Sequence, residues 1–220
     1  MADFARLRAE MVEQQLAARG IDDQRLLQAM SEVPRHEFVP PPLAAFAYED
    51  SPLQIEAGQT ISQPYIVAMM IRAAGIGPGK SVLEIGTGSG YAAAVMGRIA
   101  EGVIAIERHK ELAVIAEARM KRLGYDNVRI VHGDGTRGWP DGAPFEAILA
   151  AASGSHVPEA LLAQLSVGGT LVMPLGEPHS VQSLVKVIRK SEVEYEQADL
   201  GAVRFVPLIG AHGWAEKNRR

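Results

Sequence analysis

The 220-residue chain contains no cysteine, which excludes disulfide bonds, zinc–thiolate sites and thiol nucleophiles. It has no apolar run near the ~18 residues that a membrane span requires, and its first residues lack the basic-then-apolar layout of a secretory signal. Basic clusters are also scarce. The formal net charge is -4, which gives no electrostatic reason to expect a nucleic-acid partner. These absences predict a cytoplasmic protein with neither a membrane nor a nucleic acid as its partner.

What the chain does contain suits one main domain with a short N-terminal extension. Apolar residues recur at helical spacing over Phe4–Leu16 and Gln24–Met30, which predicts two short helices. Four prolines between positions 34 and 42 oppose helix and regular strand, so residues 33–59 are predicted to form a long ordered loop over the domain. We assign residues 1–60 to these helices and this wrapping loop, and residues 61–220 to the main domain, as parts of one unit.

The main domain alternates between short apolar runs and longer amphipathic ones. This alternation predicts βαβ units, in which helices cover both faces of a parallel sheet. The predicted strands are SVLEI, GVIAIE, NVRIVHGD, PFEAILAAA and GGTLVMPLG, with helices at Tyr91–Ala100, ELAVIAEARMKRLG and Pro158–Leu165. The later runs SLVKVIRK, VEYEQADL and VRFVPLIG have no helices between them and predict antiparallel strands. The predicted fold class is α/β: a doubly wound, Rossmann-like fold with a mostly parallel sheet, antiparallel C-terminal strands and a short N-terminal helical extension.

The segment LEIGTGSGY places Gly86, Gly88 and Gly90 at alternate positions between a predicted strand and a predicted helix. In a βαβ unit such a loop lets the backbone approach a ligand at the carboxyl edge of the sheet, beside a helix N-terminus. It does not match a dinucleotide fingerprint, because Tyr91 stands where the last glycine should fall. It also lacks the Gly-Lys-Ser/Thr of a P-loop and the central serine of a nucleophile elbow. The loop therefore predicts a ligand site that does not bind a pyrophosphate.

Two acidic residues follow the next two predicted strands. Glu107 ends the second strand, where a carboxylate can accept hydrogen bonds from both ribose hydroxyls of a nucleoside. Asp134 follows the third strand and can accept a hydrogen bond from an adenine amino group. Taken singly, the glycines are equally explained by a tight turn, and the two acids by strand-end caps. Their joint spacing predicts one nucleoside site without a phosphate-binding element, which indicates S-adenosylmethionine.

Eight segments form a recognisable series: MVEQQLAARGI, VPRHEFVP, AYEDSPL, GQTISQPYIVA, VLEIGTGSGY, GDGTRGWP, APFEAIL and VRFVPLIG. In this order, from Met11 to Gly210, they resemble the protein-L-isoaspartate (D-aspartate) O-methyltransferase family. The glycine loop is shared by many methyltransferases, whereas GQTISQP and VRFVPL are specific to this family. The resemblance implies methyl esterification of the carboxylate of L-isoaspartyl and D-aspartyl residues in damaged proteins and peptides, which initiates their repair. It also implies S-adenosylmethionine as cofactor and S-adenosylhomocysteine as product, and we expect a monomer.

The resemblance assigns roles to particular residues. Ser62 matches the active-site serine, and the segment from Gln59 to Ser62 matches the loop that folds over cofactor and substrate. Glu107 matches the ribose contact and Asp134 the adenine contact. The residues expected to contact the cofactor are Gln59, Thr60, Ile61, Ser62, Gly86, Gly88, Ser89, Gly90, Glu107, Arg108, Asp134 and Gly135.

Two roles for Ser62 stay open from the residues alone. A carboxylate acceptor is already ionised at neutral pH, so methyl transfer to it needs alignment and desolvation rather than a general base. Ser62 is therefore expected to be an orienting hydrogen-bond donor and not a covalent nucleophile. The alternative is a place in a helix cap, because Thr60 with Gln63 three residues later satisfies the capping-box pattern. The resemblance favours the first role.

Two segments depart from the family pattern. Glu56 stands where relatives have glycine, and AASGSHVP at 151–158, which begins with the departing residues Ala151 to Ser155, replaces a Thr-Ala-Ala-Ala-Pro run. We expect both to border the substrate cleft, where Glu56 would repel an anion and Gly154 would loosen its loop. Two other hypotheses follow: a methyltransferase for a small-molecule acceptor, and a non-catalytic module that binds S-adenosylmethionine.

Histidine occurs six times, with no pair at the spacing of metal ligands. We therefore expect no metal site. His156 is the only histidine that the sequence places near the expected cleft, and a structural role is favoured for it.

Overall fold

A computed structural model describes residues 3–216. The first two residues of the predicted segment 1–60 and the last four residues of the predicted segment 61–220 lie outside the described residues. Helix α1 (Phe4–Glu10) continues into a π-helical turn over Met11–Leu16. Helix α2 (Gln24–Glu32) begins after Asp23, whose carboxylate accepts two backbone N–H groups of the first turn. Both predicted N-terminal helices are confirmed.

The wrapping loop is ordered by short elements. It contains two 3-10 helices, Arg35–Phe38 and Pro41–Phe46. It ends in a small antiparallel hairpin, in which strand β1 (Leu53–Gln54) pairs with strand β2 (Thr60–Ile61). Helix α3 (Pro64–Ala73) follows with a proline at its first position, where the missing N–H is not needed. The loop therefore leads directly into the segment that the family motif GQTISQP marks.

One seven-stranded sheet forms the centre of the domain. Its strands are β3 (Ser81–Ile85), β4 (Gly102–Glu107), β5 (Val128–His132), β6 (Phe145–Ala150), β7 (Leu165–Leu175), β8 (Gln182–Arg189) and β9 (Tyr195–Val203). Helices α4 (Tyr91–Gly97), α5 (Lys110–Leu123) and α6 (Glu159–Ala163) lie between them in the chain. The strand order is β5-β4-β3-β6-β7-β8-β9, with the first five strands parallel and the last two antiparallel. The predicted α/β fold is confirmed, and the order in which successive strands are added to the sheet reverses between β3 and β6, where such folds bind ligands.

The prediction of a strand at VRFVPLIG is wrong. Only Val203 of this run belongs to β9, and the residues after it form no regular strand. Pro207 has no N–H to donate to a strand ladder. The segment instead bonds to Ser153: the Ser153 N–H donates to Val206 O at 2.8 Å, and the Leu208 N–H donates to Ser153 O at 2.8 Å. These bonds hold the segment beside the carboxyl end of β6.

Alternate residues of the strands enter two hydrophobic clusters, one on each face of the sheet. The larger cluster joins the N-terminal helices to α3 and α4 and includes the fully buried Met11, Leu16 and Phe38. The smaller cluster packs Leu161 of α6 against the other face, beside Phe145. The N-terminal residues and the sheet thus share one core. Within residues 3–216, no helix combines the length and apolar character that a membrane crossing requires.

Strand β9 forms one end of the sheet, next to β8 alone. Its residues from Tyr195 to Asp199 are exposed to solvent, and two of them, Glu196 and Asp199, are acidic. The pairing of β8 with β9 is irregular between Ser183 and Val185. Unpaired strand edges in natural proteins commonly have such charges and irregularities.

Candidate active site

A cavity of about 1210 Å³ lies at the carboxyl edge of the sheet. Its walls come from the β1–β2 hairpin region, helix α3, the glycine loop, the end of β4 and the segment after β9. Its volume exceeds the roughly 300–1,000 Å³ of a typical small-molecule site, so it has room for a cofactor and part of an acceptor. The predicted residues that line it are Gln59, Thr60, Ile61, Ser62, Gly86, Gly88, Ser89, Glu107, Arg108 and Gly135.

The three glycines of the loop all have left-handed backbone conformations. The φ angles are 79° at Gly86, 54° at Gly88 and 88° at Gly90, a region that glycine enters without steric cost. Gly90 is the residue before the first turn of α4 and does not line the cavity; a Cβ there would come within 2.9 Å of Met120 Cε. The tight-turn explanation therefore accounts for Gly90, whereas Gly86 and Gly88 combine the turn with a place on the cavity wall.

Glu107 anchors the glycine loop to the end of β4. Its side chain is buried, and its two carboxylate oxygens accept the N–H of Gly88 at 2.9 Å and the N–H of His109 at 2.8 Å. A carboxylate offers about four acceptor positions, so about two remain for donors of a ligand in the cavity. This arrangement suits a pair of ribose hydroxyls and disfavours a phosphate.

Asp134 lies outside the main cavity, on a neighbouring pocket of about 490 Å³ that Arg108 and Ile209 also line. One of its oxygens accepts the N–H and the hydroxyl of Thr136 at 2.9 and 2.6 Å, and the other accepts the Ala211 N–H at 2.8 Å. Burial alone would raise its pKa, but these hydrogen bonds outweigh that effect and hold the pKa below its ordinary value. Asp134 thus fixes the segment near residue 211, and its contact with adenine stays a prediction.

The capping-box prediction for Thr60 and Gln63 is wrong. Thr60 lies in β2, and the residue before α3 is Gln63, whose side chain makes no capping bond. Asp50 of the wrapping loop supplies the cap instead, because its carboxylate accepts the Tyr65 N–H at 3.1 Å. Within residues 3–216 the Ser62 hydroxyl has no hydrogen-bond partner, so it is free for a ligand.

Neither departure from the family pattern acts as the sequence predicted. Glu56 does not line the cavity; it lies in a short turn that contacts α5, where its charge stabilises the Arg119 cation. Gly154 is not loose: its N–H donates to Pro174 O at 3.1 Å, and its carbonyl accepts the Gly176 N–H at 2.9 Å. A Cβ at Gly154 would come within 2.7 Å of Met173 Cε, so close packing explains the glycine. From Ala151–Ser155, only the first two residues line the cavity.

The histidine prediction also needs correction. His156 is exposed and does not line the cavity, whereas His109 and His179 do. Among the described residues, no group of three or more His, Asp or Glu side chains is placed to hold a metal ion.

Glu84 is a cavity residue that the sequence reasoning missed. It is the buried penultimate residue of β3, and Thr87 Oγ1 donates to its carboxylate at 2.6 Å. Burial raises the pKa of Glu84 to about 7; the Thr87 hydrogen bond lowers it in part, and the nearby Glu107 charge raises it further. An acid between the apolar residues of the strand SVLEI, directly before the glycine loop, was the available signal.

Replacing Glu84 with glutamine should remove part of the pH dependence of stability. A carboxyl group with a raised folded-state pKa contributes fully to stability below its ordinary pKa of 4.5, and this contribution is lost as pH rises to about 7. At about 1.4 kcal/mol per pKa unit, the wild type should lose up to about 3 kcal/mol relative to Glu84→Gln. Denaturant titrations of both cofactor-free proteins below pH 4.5 and above pH 7 measure the difference. Equal losses in the two proteins would contradict the shift.

Comparison with known proteins decides between the hypotheses for this cavity. The chain matches the family model Protein-L-isoaspartate(D-aspartate) O-methyltransferase (PCMT) over residues 6–213. The chain belongs to this family. It is 53% identical over 206 residues to the protein-L-isoaspartate O-methyltransferase of Rhodopseudomonas palustris, with 94% of each chain covered. The Methylorubrum populi family member is 54% identical over 215 residues, which cover 98% of this chain and 100% of that one.

A solved family structure extends the likeness to three dimensions. The beta-aspartate methyltransferase (PCMT) of Plasmodium falciparum, in complex with S-adenosyl-L-homocysteine, superimposes with a TM-score of 0.79 at 28% identity. The match covers 92% of this chain and 98% of that one. The resemblance drawn from the sequence motifs is therefore confirmed, and membership of the PCMT family does not favour the small-molecule and binding-module hypotheses.

Proposed function

We propose that this chain transfers a methyl group from S-adenosylmethionine to the free carboxylate of L-isoaspartyl residues, and of D-aspartyl residues, in damaged proteins. One observation carries the proposal: in a member of the PCMT family, the anchored Glu107 carboxylate and the Ser62 segment line the same cavity. The first supplies a nucleoside site and the second supplies a donor for an acceptor carboxylate. The methyl ester that forms initiates repair of the damaged residue.

The chemistry of the cavity fits this cofactor. Two buried carboxyl groups, Glu84 and Glu107, lie on its inner wall, which suits positively charged groups and ribose hydroxyls and disfavours phosphate. The residues proposed to hold the cofactor are Gly86, Gly88, Ser89, Glu107, Arg108 and Gly135, together with Asp134 on the neighbouring pocket and Gly90 in the turn before α4. When bound, S-adenosylmethionine supplies an electrophilic methyl group on a positively charged sulfur.

The residues of the chain align and desolvate the acceptor. The acceptor carboxylate is ionised at neutral pH, so no general base is required. The Ser62 hydroxyl donates a hydrogen bond that orients this carboxylate and leaves its charge intact. A nearby lysine would neutralise that charge. The segment Gln59–Ile61 covers the reacting groups, and the apolar side chains of Ile61, Val67 and Met70 exclude water from them. Holding the reacting atoms in line supplies several kcal/mol of the rate enhancement through proximity.

The test of the proposal is methyl transfer to a matched pair of peptides. One peptide contains a single isoaspartyl residue, and the other has normal aspartate at the same position. Incubation with methyl-labelled S-adenosylmethionine should give base-labile label on the isoaspartyl peptide alone, since methyl esters hydrolyse in base. Label on neither peptide, with cofactor binding intact by calorimetry, would refute the proposal. Equal label on both would refute the selectivity for damaged residues.

We further propose that the enzyme acts as a monomer in the cytoplasm and that residues 1–60 and 61–220 work as one unit. The shared core of the N-terminal helices, α3 and α4 supports the single unit. Three of the exposed apolar side chains among residues 3–216, Phe46, Val114 and Val193, lie on different elements, and this separation supports the monomer.

A further inference from the structure

Arg35 is a fully buried arginine directly behind the Ser62 segment. Its Nε donates to Ala47 O at 2.7 Å, and its Nη2 donates to Ser62 O at 2.8 Å. Its guanidinium carbon lies 4.7 Å from the centre of the Tyr91 ring, and Tyr91 lines the cavity. Arg35 therefore connects the wrapping loop, the residue proposed to orient the acceptor, and the wall of the site.

The burial of the Arg35 guanidinium is energetically unfavourable, so a specific task is needed to explain why the residue is there. Within residues 3–216 no carboxylate oxygen lies within 4.0 Å of its guanidinium group, and Nη1 has no hydrogen-bond partner. Burial lowers the pKa of Arg35, and the neighbouring Tyr91, Tyr48 and Asp50 offset this effect only in part. A buried cation with no carboxylate in direct contact is among the costlier arrangements in proteins, so packing alone does not explain its presence.

The contacts of Arg35 define the position of Ser62. Ser62 lies between β2 and α3, and its carbonyl is fixed by Arg35 while Asp50 fixes the Tyr65 N–H on the other side. Both partners belong to the wrapping loop. We propose that Arg35 is a positioning residue, which holds the Ser62 backbone so that the Ser62 hydroxyl points to the acceptor carboxylate. This inference rests on the proposed function.

Arg119 on α5 provides a matched control. It is also buried, and its Nη1 donates to Ser89 O at 2.6 Å, on the cofactor side of the cavity. Its guanidinium carbon lies 5.4 Å from the Phe38 ring, which in turn lies edge-on to Tyr91 at 5.5 Å. The two arginines thus flank the same pair of aromatic rings, and each holds the carbonyl of a different serine that lines the cavity.

Amide hydrogen exchange of the cofactor-free protein tests the positioning without any assay of activity. Lysine has one donor centre in place of the rigid fork of arginine, so Arg35→Lys cannot maintain both carbonyl bonds in the same geometry. In this variant, exchange over residues 61–66 should rise by at least about tenfold while residues 87–90, which Arg35 does not contact, stay unchanged. Arg119→Lys should give the reverse pattern. Unchanged exchange over residues 61–66 in Arg35→Lys would overturn the proposal.

A double-mutant cycle tests whether Arg35 acts through Ser62. Arg35→Lys alone should lower kcat on the isoaspartyl peptide by about tenfold, with the Kd for S-adenosylmethionine within about twofold of the wild type. In a Ser62→Ala background the same substitution should cause no further loss of kcat, because the hydroxyl that Arg35 positions is gone. Arg119→Lys should instead raise the cofactor Kd.

The outcomes separate this inference from the proposed function. A kcat loss of equal size in both backgrounds, or a Kd change as large as the kcat change, would assign Arg35 to general stability and overturn the inference. Absence of transfer by the wild type would refute the proposed function, while the exchange measurement would still decide whether Arg35 positions Ser62. The lysine variant retains the charge and most of the volume of arginine; if it still fails to fold, Arg35 is required for the fold and the inference falls.

Discussion

Glu107→Ala should raise the Kd for S-adenosylmethionine by on the order of 100-fold. The substitution removes the proposed acceptor of two ribose hydroxyls and leaves the Gly88 and His109 N–H groups without their acceptor. Hydrogen bonds to a charged group contribute about 1.5–3 kcal/mol each, and about 1.4 kcal/mol is a tenfold change in Kd. Calorimetric titration of the variant with the cofactor measures the change.

Glu146→Ala is the matched control for this effect. Glu146 also accepts hydrogen bonds at a strand end, from the N–H and the hydroxyl of Ser81 at 2.8 and 3.1 Å, but it lies at the amino edge of the sheet. Its loss should lower stability and leave the cofactor Kd within about twofold of the wild type. Equal rises in Kd for the two variants would mean that general destabilisation, and not the ribose contact, causes the effect.

Ser62→Ala should lower kcat on the isoaspartyl peptide by on the order of 100-fold, the loss seen when one donor is removed from an aligned anion site. The Kd for S-adenosylmethionine should change little, because the hydroxyl is proposed to act on the acceptor. The backbone bond from Arg35 to Ser62 O does not depend on the side chain and should persist. Steady-state kinetics together with calorimetric titration separate the two quantities.

Ser153→Ala provides a comparison for Ser62→Ala. The Ser153 hydroxyl is buried and donates to Val206 O at 3.3 Å, and Ser153 does not line the cavity. Its removal should leave kcat within a few-fold of the wild type, because the backbone bonds of Ser153 persist. A loss in Ser62→Ala that is no larger than the loss in Ser153→Ala would assign Ser62 a structural role.

Periodicity predicted most of the fold, and it failed where a segment is apolar without being a strand. The strands from SVLEI to GGTLVMPLG appear in the expected order because each has a short apolar run bounded by turn residues, although in β5 only Val128 is buried. VRFVPLIG has the same apolar character, but Pro207 and the bonds to Ser153 place it beside the sheet instead. Apolar composition indicates that a segment is buried. It does not distinguish a strand that is hydrogen-bonded into the sheet from an irregular segment that is bonded to another loop.

The parts of the site that depend on short sequence motifs could be predicted. The parts that depend on contacts between residues far apart in the sequence could not. The glycine loop and Glu107 come together because consecutive parallel strands end at one edge. The cap of α3 was misassigned because its acceptor, Asp50, lies fifteen residues before Tyr65. The role of Arg35 depends on contacts with residues 12 and 27 positions away, which no local pattern reveals.

The exposed edge of β9 affects whether this protein aggregates with its own substrates. Damaged proteins expose extended segments, and an unpaired strand edge is a template for such segments to add to a sheet. Glu196 and Asp199 oppose that addition, because an incoming segment with an isoaspartyl or D-aspartyl residue has a carboxylate of the same sign. An acidic edge at this place should therefore keep the enzyme from co-aggregating with the aged proteins that it methylates.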